Sequence, residues 1–457
     1  MSTVKSHNPN SFSNVLQTLN LTEDDLCEMA KEASWCKRKP RKITPFMMLD
    51  SFYDRTNLEC PSFRNIASKI DFDYGSGPCK QAVAQRTNFS CCRLVENLIN
   101  KSFEAKFHSA ALLVQENTLF SAYKRVIVQD STIIKLPAWL YPIFSGVSNA
   151  NSKVCNARIQ AVYDIKNMML LSFSIDSYSK NDLKATPELE IKKGDLVLRD
   201  RGYLIMGELR RHIDLLADFI YRHKTKFVYL DPSTKSPIDL LGLLRNYGRL
   251  DMTVLLNDGK QTPVRLIAAP VDKEIANLRR MKAKKEKKGH NPSKAVLELM
   301  DWTIFLTNIA KEKADFKTIL MTYGLRWRIE IIFKAWKSHV NFDSIHRVSQ
   351  VQLLIILKMR LLKIMLFTNC LYRNCYLIVW NHFQRHLSML SFFNELNSNP
   401  ERITKILSVL SQPFERDDPI WQTLVRYCCH EKRKRLNFHE SCLGLDQIES
   451  FCLMSLK

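Results

Sequence analysis

Two acids, Asp130 and Asp200, each follow an apolar, β-branched run: Arg125-Val126-Ile127-Val128-Gln129-Asp130 and Asp195-Leu196-Val197-Leu198-Arg199-Asp200. A short polar stretch comes next, Ser131-Thr132 after the first and Arg201-Gly202-Tyr203 after the second. Strand ends beside a turn are where α/β proteins place catalytic groups. One such Asp is as easily the N-cap of a following helix; two in one sheet raise the interest of both. A third acid comes from a helical segment. Tyr323, Arg326, Glu330, Lys334 and Lys337 are spaced by 3, 4, 4 and 3 residues. At about 100° per residue all five fall within roughly an 80° arc. Leu325, Ile332, Ala335 and Trp336 occupy the other side, where they can pack on a sheet. Two readings of the polar face stand side by side. It is a salt-bridged surface stripe, in which the Glu330–Lys334 pair adds only about 0.2–0.5 kcal/mol. Or it is an acid set among cations and a phenol for a purpose, since a plain stripe needs neither Tyr323 nor cations on both sides of one acid.

Three carboxylates from three elements can hold two divalent cations about 3.5–4 Å apart, which clamp the attacking and leaving oxygens of a phosphoryl transfer. Hard oxygen ligands suit Mg²⁺ or Mn²⁺. Arg and Lys beside them bind flanking phosphates. The composition agrees. Of 457 residues, 68 are Lys or Arg and 46 are Asp or Glu, a formal charge of +22. Such a surplus points to nucleic acid first and an anionic membrane second, with generic basicity as the plainer account. With 46% hydrophobic and 25% charged residues, the chain is not mainly disordered. Its length predicts two to four domains at roughly 100–200 residues each. The polar start, Met1 to Asn10, predicts no secretory signal. The most lipophilic stretch, Leu353 to Trp380, is interrupted by Lys358, Arg360, Lys363 and Arg373, so no membrane span is expected. Thirteen scattered cysteines without a Cys-x-x-Cys suggest a reduced, cytoplasmic protein. Cys428, Cys429, His430, His439 and Cys442 crowd together, but their spacing matches no common zinc module, and helical packing is the simpler account.

The elements around these residues divide by texture. Residues 1–100 read as helical. Thr22 is an N-cap followed by Glu23, Asp24 and Asp25. A basic break, Lys37-Arg38-Lys39-Pro40-Arg41-Lys42, precedes an apolar-periodic segment from Pro45 to Phe52. Phe63–Ile70 and Cys79–Asn88 are helices joined by a turn with Gly75 and Gly77. The second bears Lys80, Gln81, Gln85, Arg86 and Asn88, which fits either a major-groove reader or an ordinary helical hairpin. Beyond residue 120, strands are expected at 154–162, 168–175 and 218–222 besides the two acidic ones, with a helix over 207–216. That succession predicts a mixed sheet with helices on its faces. Residues 228–300 look inserted. They carry a dense run, Arg279 to Lys288, whose Lys284, Lys285, Lys287 and Lys288 are either a solvated helix face or a phosphate grip. A strand over 302–306 and one long helix over 316–340 follow, and from Val351 the chain reads as helical, broken at Pro413 and Pro419.

Tyr323-x2-Arg326-x3-Glu330-x6-Lys337 resembles the YREK signature of DDE transposases in the IS-four family of bacterial insertion sequences. Asp130-Ser131-Thr132 and Asp200-Arg201-Gly202-Tyr203 resemble its first and second catalytic Asp motifs. Leu306-Thr307-Asn308, Arg326-Trp327-x-Ile329-Glu330-x2-Phe333-Lys334 and the segment from Arg38 to Pro45 are also similar, so the resemblance covers about residues 35–350. It implies an α/β fold: an RNase H-like core, a mixed sheet with flanking helices, interrupted by a mainly β insertion and flanked by helical N- and C-terminal domains. The 130 residues from Asp200 to Glu330 leave room for that insertion. The division expected is 1–105 for a helical DNA-end-binding domain, 106–227 for the first part of the core and 228–300 for the insertion. The second part of the core with the YREK helix takes 301–380, and a helical domain for dimerisation takes 381–457. The resemblance further implies Asp130, Asp200 and Glu330 as ligands of two Mg²⁺ or Mn²⁺ ions. It implies cut-and-paste transposition, in which water nicks one strand, the freed 3′-hydroxyl attacks the other to give a hairpin in the best-known relatives, and the 3′ ends join target DNA. Its partners are double-stranded DNA and a second copy of the chain, at the nucleoid, without a membrane. Tyr323, Arg326, Lys334, Lys337 and Arg201 would contact phosphates near the scissile bond, and Arg38, Lys39, Arg41 and Lys42 would grip the ends. Trp302 would stack on a flipped base, or it is simply a core Trp at a strand start. A decayed DNA-binding remnant and another RNase H-like nuclease are the alternatives.

Overall fold

The computed structural model describes residues 12–38, 40, 42–54, 62–104, 119–146, 154–180, 190–225, 227–286, 292–340, 345 and 348–430. Lys39, Arg41, Lys287, Lys288, His439 and Cys442 lie outside the described residues.

The N-terminal helices are α1 Phe12–Thr18, α2 Glu23–Glu32, α3 Pro45–Asp54, α4 Phe63–Tyr74, α5 Lys80–Arg86 and α6 Phe89–Glu104. Local chemistry sets their ends. Asp25 N–H donates to Thr22 Oγ1 while Thr22 N–H donates back to the Asp25 carboxylate at 2.7 Å, a capping box that starts α2 where the sequence predicts it. Gly75, at φ +64°, stops α4 in the left-handed conformation that a residue without Cβ adopts freely. The helix therefore runs a turn past Ile70, to Tyr74. On α5, Lys80, Gln81 and Gln85 are exposed, as a groove reader requires. The other two polar residues named for that role are structural. The Arg86 guanidinium lies 4.8 Å from the Trp35 ring and donates to Trp35 O, and the Trp35 indole N–H donates to Arg86 O. Asn88 accepts the Cys91 N–H and so caps α6.

The strands are β1 Arg125–Lys135, β2 Asn156–Asp164, β3 Met169–Ser177, β4 Asp195–Arg199, β5 Asp218–Arg222, β6 Tyr229–Leu230, β7 Leu250–Leu256, β8 Pro263–Pro270 and β9 Trp302–Thr307. They join in one sheet of order β3-β2-β1-β4-β5-β9-β8-β7-β6. β1, β4 and β5 are parallel, and β2 runs against β1 and β3. The first five strands are thus an RNase H-like core. β9 pairs antiparallel with β5 and with β8, so the insertion's strands continue the core sheet. The insertion also carries α8 Leu240–Tyr247, α9 Lys273–Glu286 and α10 Lys294–Glu298; α7 Met206–Asp214 precedes it.

The sheet's two faces follow from the two-residue side-chain period of a strand. Val126, Val128, Leu196, Leu198, Ile220 and Phe305 belong to one apolar cluster, and Ile127, Val197, Phe219, Tyr221, Ile304 and Leu306 to the other. Leu209 of α7 and Leu244 of α8 cover the second face. The apolar cluster of the first face also takes in α11 Phe316–Gly324, α12 Arg328–His339, α13 Gln350–Met365, α14 Arg373–Phe383, α15 Met389–Ser398, α16 Glu401–Leu410 and α17 Pro419–Tyr427, of which α12 lies against β1 and α11 against β5. α13 packs against α6, so N- and C-terminal helices share this one core. Cys428, which ends α17, is buried in it. Among the described residues no helix is long and apolar enough to cross a membrane.

Between α13 and α14 a π-helical stretch, Leu366–Tyr372, places Asn369 against the outer edge of β3. Its side chain accepts the Leu170 N–H at 2.8 Å and donates to Leu170 O at 3.0 Å, pairing the edge as another strand would. Asn369 is 1% exposed. Asn369→Ala leaves a buried N–H and a buried C=O without partners and should destabilise the protein by about 2–4 kcal/mol. A urea-unfolding midpoint equal to that of the wild type would remove this role.

Candidate active site

The parallel register of β1 and β4 brings the first two acids together. Gln129 stands opposite Arg199, so Asp130 and Asp200 are the next residues on neighbouring strands. Asp130 shares the face of Val126 and Val128, and Asp200 follows Leu198 with the same parity. Both carboxylates therefore point to the face covered by α12. One expectation is corrected. Asp130 does not end its strand, and Ser131-Thr132 is not a turn. β1 continues to Lys135 because its second half stays paired with β2, Ser131 opposite Gln160 and Ile133 opposite Arg158, after β4 has ended. β-Branched Thr132, Ile133 and Ile134 favour that continuation.

The helix expected over 316–340 is also two helices. α11 ends at Gly324, a poor helix former, and a 3₁₀ turn, Leu325–Trp327, joins it to α12. The apolar side is as expected: Leu325, Ile332, Ala335 and Trp336 are all buried. α12 is also anchored at its start, where Arg328 donates to Tyr372 Oη, which donates to Leu387 O.

On the polar side the three acids meet around two residues of the turn region. Arg326 Nη1 donates to Asp130 Oδ2 at 2.7 Å, and Arg326 Nη2 to Glu330 Oε1 at 3.1 Å. Tyr323 Oη donates to Asp200 Oδ1 at 3.3 Å, and its ring packs on Phe305 of β9 at 4.5 Å. Asp130 also accepts the Ser131 N–H at 2.8 Å. Burial pushes the Asp130 and Glu330 carboxyls above the ordinary carboxylate range; Arg326 opposes this, and the neighbouring acids add to it. Burial, and then Asp200, raise the Tyr323 phenol, so it stays a hydrogen-bond donor. Burial works against the Arg326 charge, but Tyr323 and the three acids outweigh it. One guanidinium faces three carboxylates, so the cluster carries more negative charge than Arg326 neutralises. Oxygen donors with that excess fit a divalent cation. Among the described residues no three such side chains stand close enough, as placed, to share one ion; Arg326 lies between them.

The remaining sequence-nominated residues spread outward from this centre. Lys337 Nζ donates to Ile133 O at 3.0 Å, which sets it beside the far half of β1. Lys334, Arg201, Lys284, Lys285, Arg38 and Lys42 are exposed. Ser76 Oγ donates to Lys42 O, which joins the basic loop to the α4–α5 turn. Trp302 begins β9, at the end of the sheet where β4 gives way to Asp200. It is half-buried, and its indole N–H donates to Gly248 O at 2.7 Å. Sequence reasoning passed over Trp327, which is 45% exposed with Arg326 5.8 Å from its ring. It also passed over Arg222, and it named Arg279 only as the start of the basic run. Arg222 ends an apolar run as Asp130 and Asp200 follow theirs, and the same signal applied to cations would have found it.

Residues 122–366 match the family described as "Transposase DDE domain". That stretch holds every strand of the sheet and all three acids. Among curated proteins, the chain is 22% identical over 423 residues to the transposase for insertion sequence element IS231E of Bacillus thuringiensis subsp. finitimus, covering 85% of this chain and 87% of that protein. It is 24% identical over 398 residues to the transposase for insertion sequence element IS1151 of Clostridium perfringens, covering 82% and 83%. A cryo-EM structure of the piggyBac transposase synaptic complex with hairpin DNA aligns with a TM-score of 0.39 and 10% identity, over 91% of this chain and 81% of that one. With more than half of its length matched by the family, this chain belongs to the transposase DDE domain family.

Proposed function

We propose that this chain is the transposase of an insertion sequence, binding the terminal inverted repeats of its own element, cleaving there and joining the 3′ ends to target DNA. The observation that carries the proposal is the meeting of Asp130, Asp200 and Glu330, from a strand interior, a strand end and a helix, around Arg326 and Tyr323. In this reading Asp130, Asp200 and Glu330 hold two Mg²⁺ or Mn²⁺ ions. Bound there, the metal supplies Lewis-acid stabilisation of the charge that develops on the phosphate oxygens. The chain's own part is positioning. α12 is anchored to the C-terminal helices, so Glu330 is held against the strand-borne acids. Tyr323 keeps its proton and orients the Asp200 carboxylate. Exposed Lys334, half-exposed Lys337 and exposed Arg201 bind phosphates beside the scissile bond. Trp302, its edge fixed by Gly248 O, offers a ring face to a displaced base at the same end of the sheet. The exposed side chains of α5, with Arg38 and Lys42, hold the duplex end. Second-strand cleavage through a hairpin, and pairing of two copies through the C-terminal helices, complete the scheme.

The experiment is direct. Purified protein with Mg²⁺ should cleave DNA that carries the sequences flanking its own gene, and EDTA should stop it. Binding without cleavage in Mg²⁺ or Mn²⁺ would leave only a DNA-binding protein.

The basic run makes a separate claim. Neutralising Lys284, Lys285, Lys287 and Lys288 together should flatten the dependence of log K on log salt by up to about 0.9 per contacting lysine. An unchanged slope returns the run to a solvated helix face.

A further inference from the structure

Two adjacent arginines on α9 have different surroundings. Arg280 is matched to an acid: it donates to Asp301, and also to Leu297 O and Asn277. Arg279 turns the other way. Its Nη1 donates to Trp302 O at 3.2 Å and its Nη2 to Thr303 Oγ1 at 3.0 Å, both on the first two residues of β9. Neither acceptor is charged. Of the five N–H groups of a guanidinium, the rest have no partner among the described residues. The charges that act on it are those of two more arginines, Arg222 at the end of β5 and Arg201 directly after Asp200. Neither has an ion pair among the described residues. Burial first, and then Arg222 and Arg201, pull the Arg279 guanidinium down to about 10.

Three guanidinium groups gathered without an ion-paired carboxylate among the described residues repel one another unless an anion joins them. The strands explain why they converge. β4 and β5 are parallel and β9 runs against β5, so Arg201 after β4, Arg222 at the end of β5 and the start of β9 lie at one end of the sheet. Arg222 also acts on Tyr323, which donates to Asp200, so the cluster adjoins the acids.

We propose that Arg201, Arg222 and Arg279 form one binding site for a phosphate group of the DNA strand that runs past Asp200. The site spans the core and the insertion, since α9 supplies the third guanidinium. Arg279 also holds the backbone of Trp302, so filling the site fixes the start of β9. The proposal rests on the reading of the chain as a DNA-cleaving transposase, and its test has an arm that does not.

In the first arm the probe is inorganic phosphate, compared with chloride at equal ionic strength. Phosphate should raise the melting temperature of the wild type, and Arg222→Gln and Arg279→Gln should each lose that rise. Arg222 pairs with β9 through its backbone, which the substitution leaves in place, and its side chain makes no hydrogen bond to β9 among the described residues, so its variant removes charge without unseating the strand. In the second arm the probe is a DNA duplex. Each variant should lower the slope of log K against log salt by about one, whereas Lys260→Gln, on an exposed turn, should not. A phosphate-dependent rise and a salt slope equal to those of the wild type in both variants overturn the proposal, whatever the wild type does to DNA. Loss of the rise in both variants, with a wild type that never cleaves DNA, upholds the phosphate site and removes the transposase reading instead.

Discussion

Asp130→Asn, Asp200→Asn and Glu330→Gln should each abolish DNA cleavage while DNA binding persists. The amide keeps the shape of the carboxylate and removes the charge that a divalent ion needs from its ligands. Metal stabilisation of a phosphoryl transition state is worth several kcal/mol, so each variant should slow single-turnover cleavage on the order of 10³-fold or more. Binding is carried by cations elsewhere on the chain and should survive, because removing an acid from a basic surface does not weaken attraction to phosphates. The three substitutions should be non-additive, since each removes a part of one site. Cleavage retained by any one variant takes that residue out of the set. Cleavage lost together with binding in all three points to a folding defect.

Arg326→Gln should lower the stability of the metal-free protein by about 2–4 kcal/mol. Arg326 is 8% exposed and is the only cation hydrogen-bonded to Asp130 or Glu330 among the described residues. Without it the half-buried Asp130 carboxylate keeps only the Ser131 N–H, where desolvation already raises its pKa. The loss falls toward the lower end because the Glu330 side chain is 37% exposed and water screens it. The sign can be checked with pH. Both acids have folded pKa values above their ordinary ones, so protonating them relieves the site as pH falls toward and below those raised values. The gap between variant and wild type should therefore narrow in acid and be widest near neutrality. Arg326→Gln combined with Asp130→Asn should recover much of the lost stability, because the unpaired, half-buried charge that made the single change costly is gone. Urea unfolding of the four proteins gives the coupling. A single variant as stable as the wild type without metal would mean that Arg326 is not the internal counter-ion of these acids.

Much of this molecule was legible from local chemistry. β-Branched runs marked β1, β4 and β5 and put an acid in or after two of them, and Thr22 with Asp25 marked the start of α2. The spacing of Tyr323, Arg326 and Glu330 placed them toward one side even though the helix is broken between them, because a 3₁₀ turn of three residues rotates the chain only a little differently from an α-turn. What stayed hidden depended on partners distant in sequence. Thr132, Ile133 and Ile134 only favour a continuation of β1; the pairing of Ser131 with Gln160 of β2 decides it. Arg86 looked like a groove reader because its partner, Trp35, becomes a neighbour only on folding.

The sequence by itself determined the class of chemistry: three acids on three elements, cations around the third, and a charge of +22 to meet a polyanion. Residue type and period settle these, and both are properties of the chain. Only the tertiary structure decided how those groups meet. The register of β1 against β4 makes Asp130 and Asp200 neighbours. α12, packed on that face of the sheet, brings Arg326 between Asp130 and Glu330. The continuation of the sheet into the insertion draws Arg279 toward Arg201 and Arg222. Electrostatic and hydrogen-bond energies depend on distances of a few ångströms, and a sequence sets those distances only through the packing of the whole.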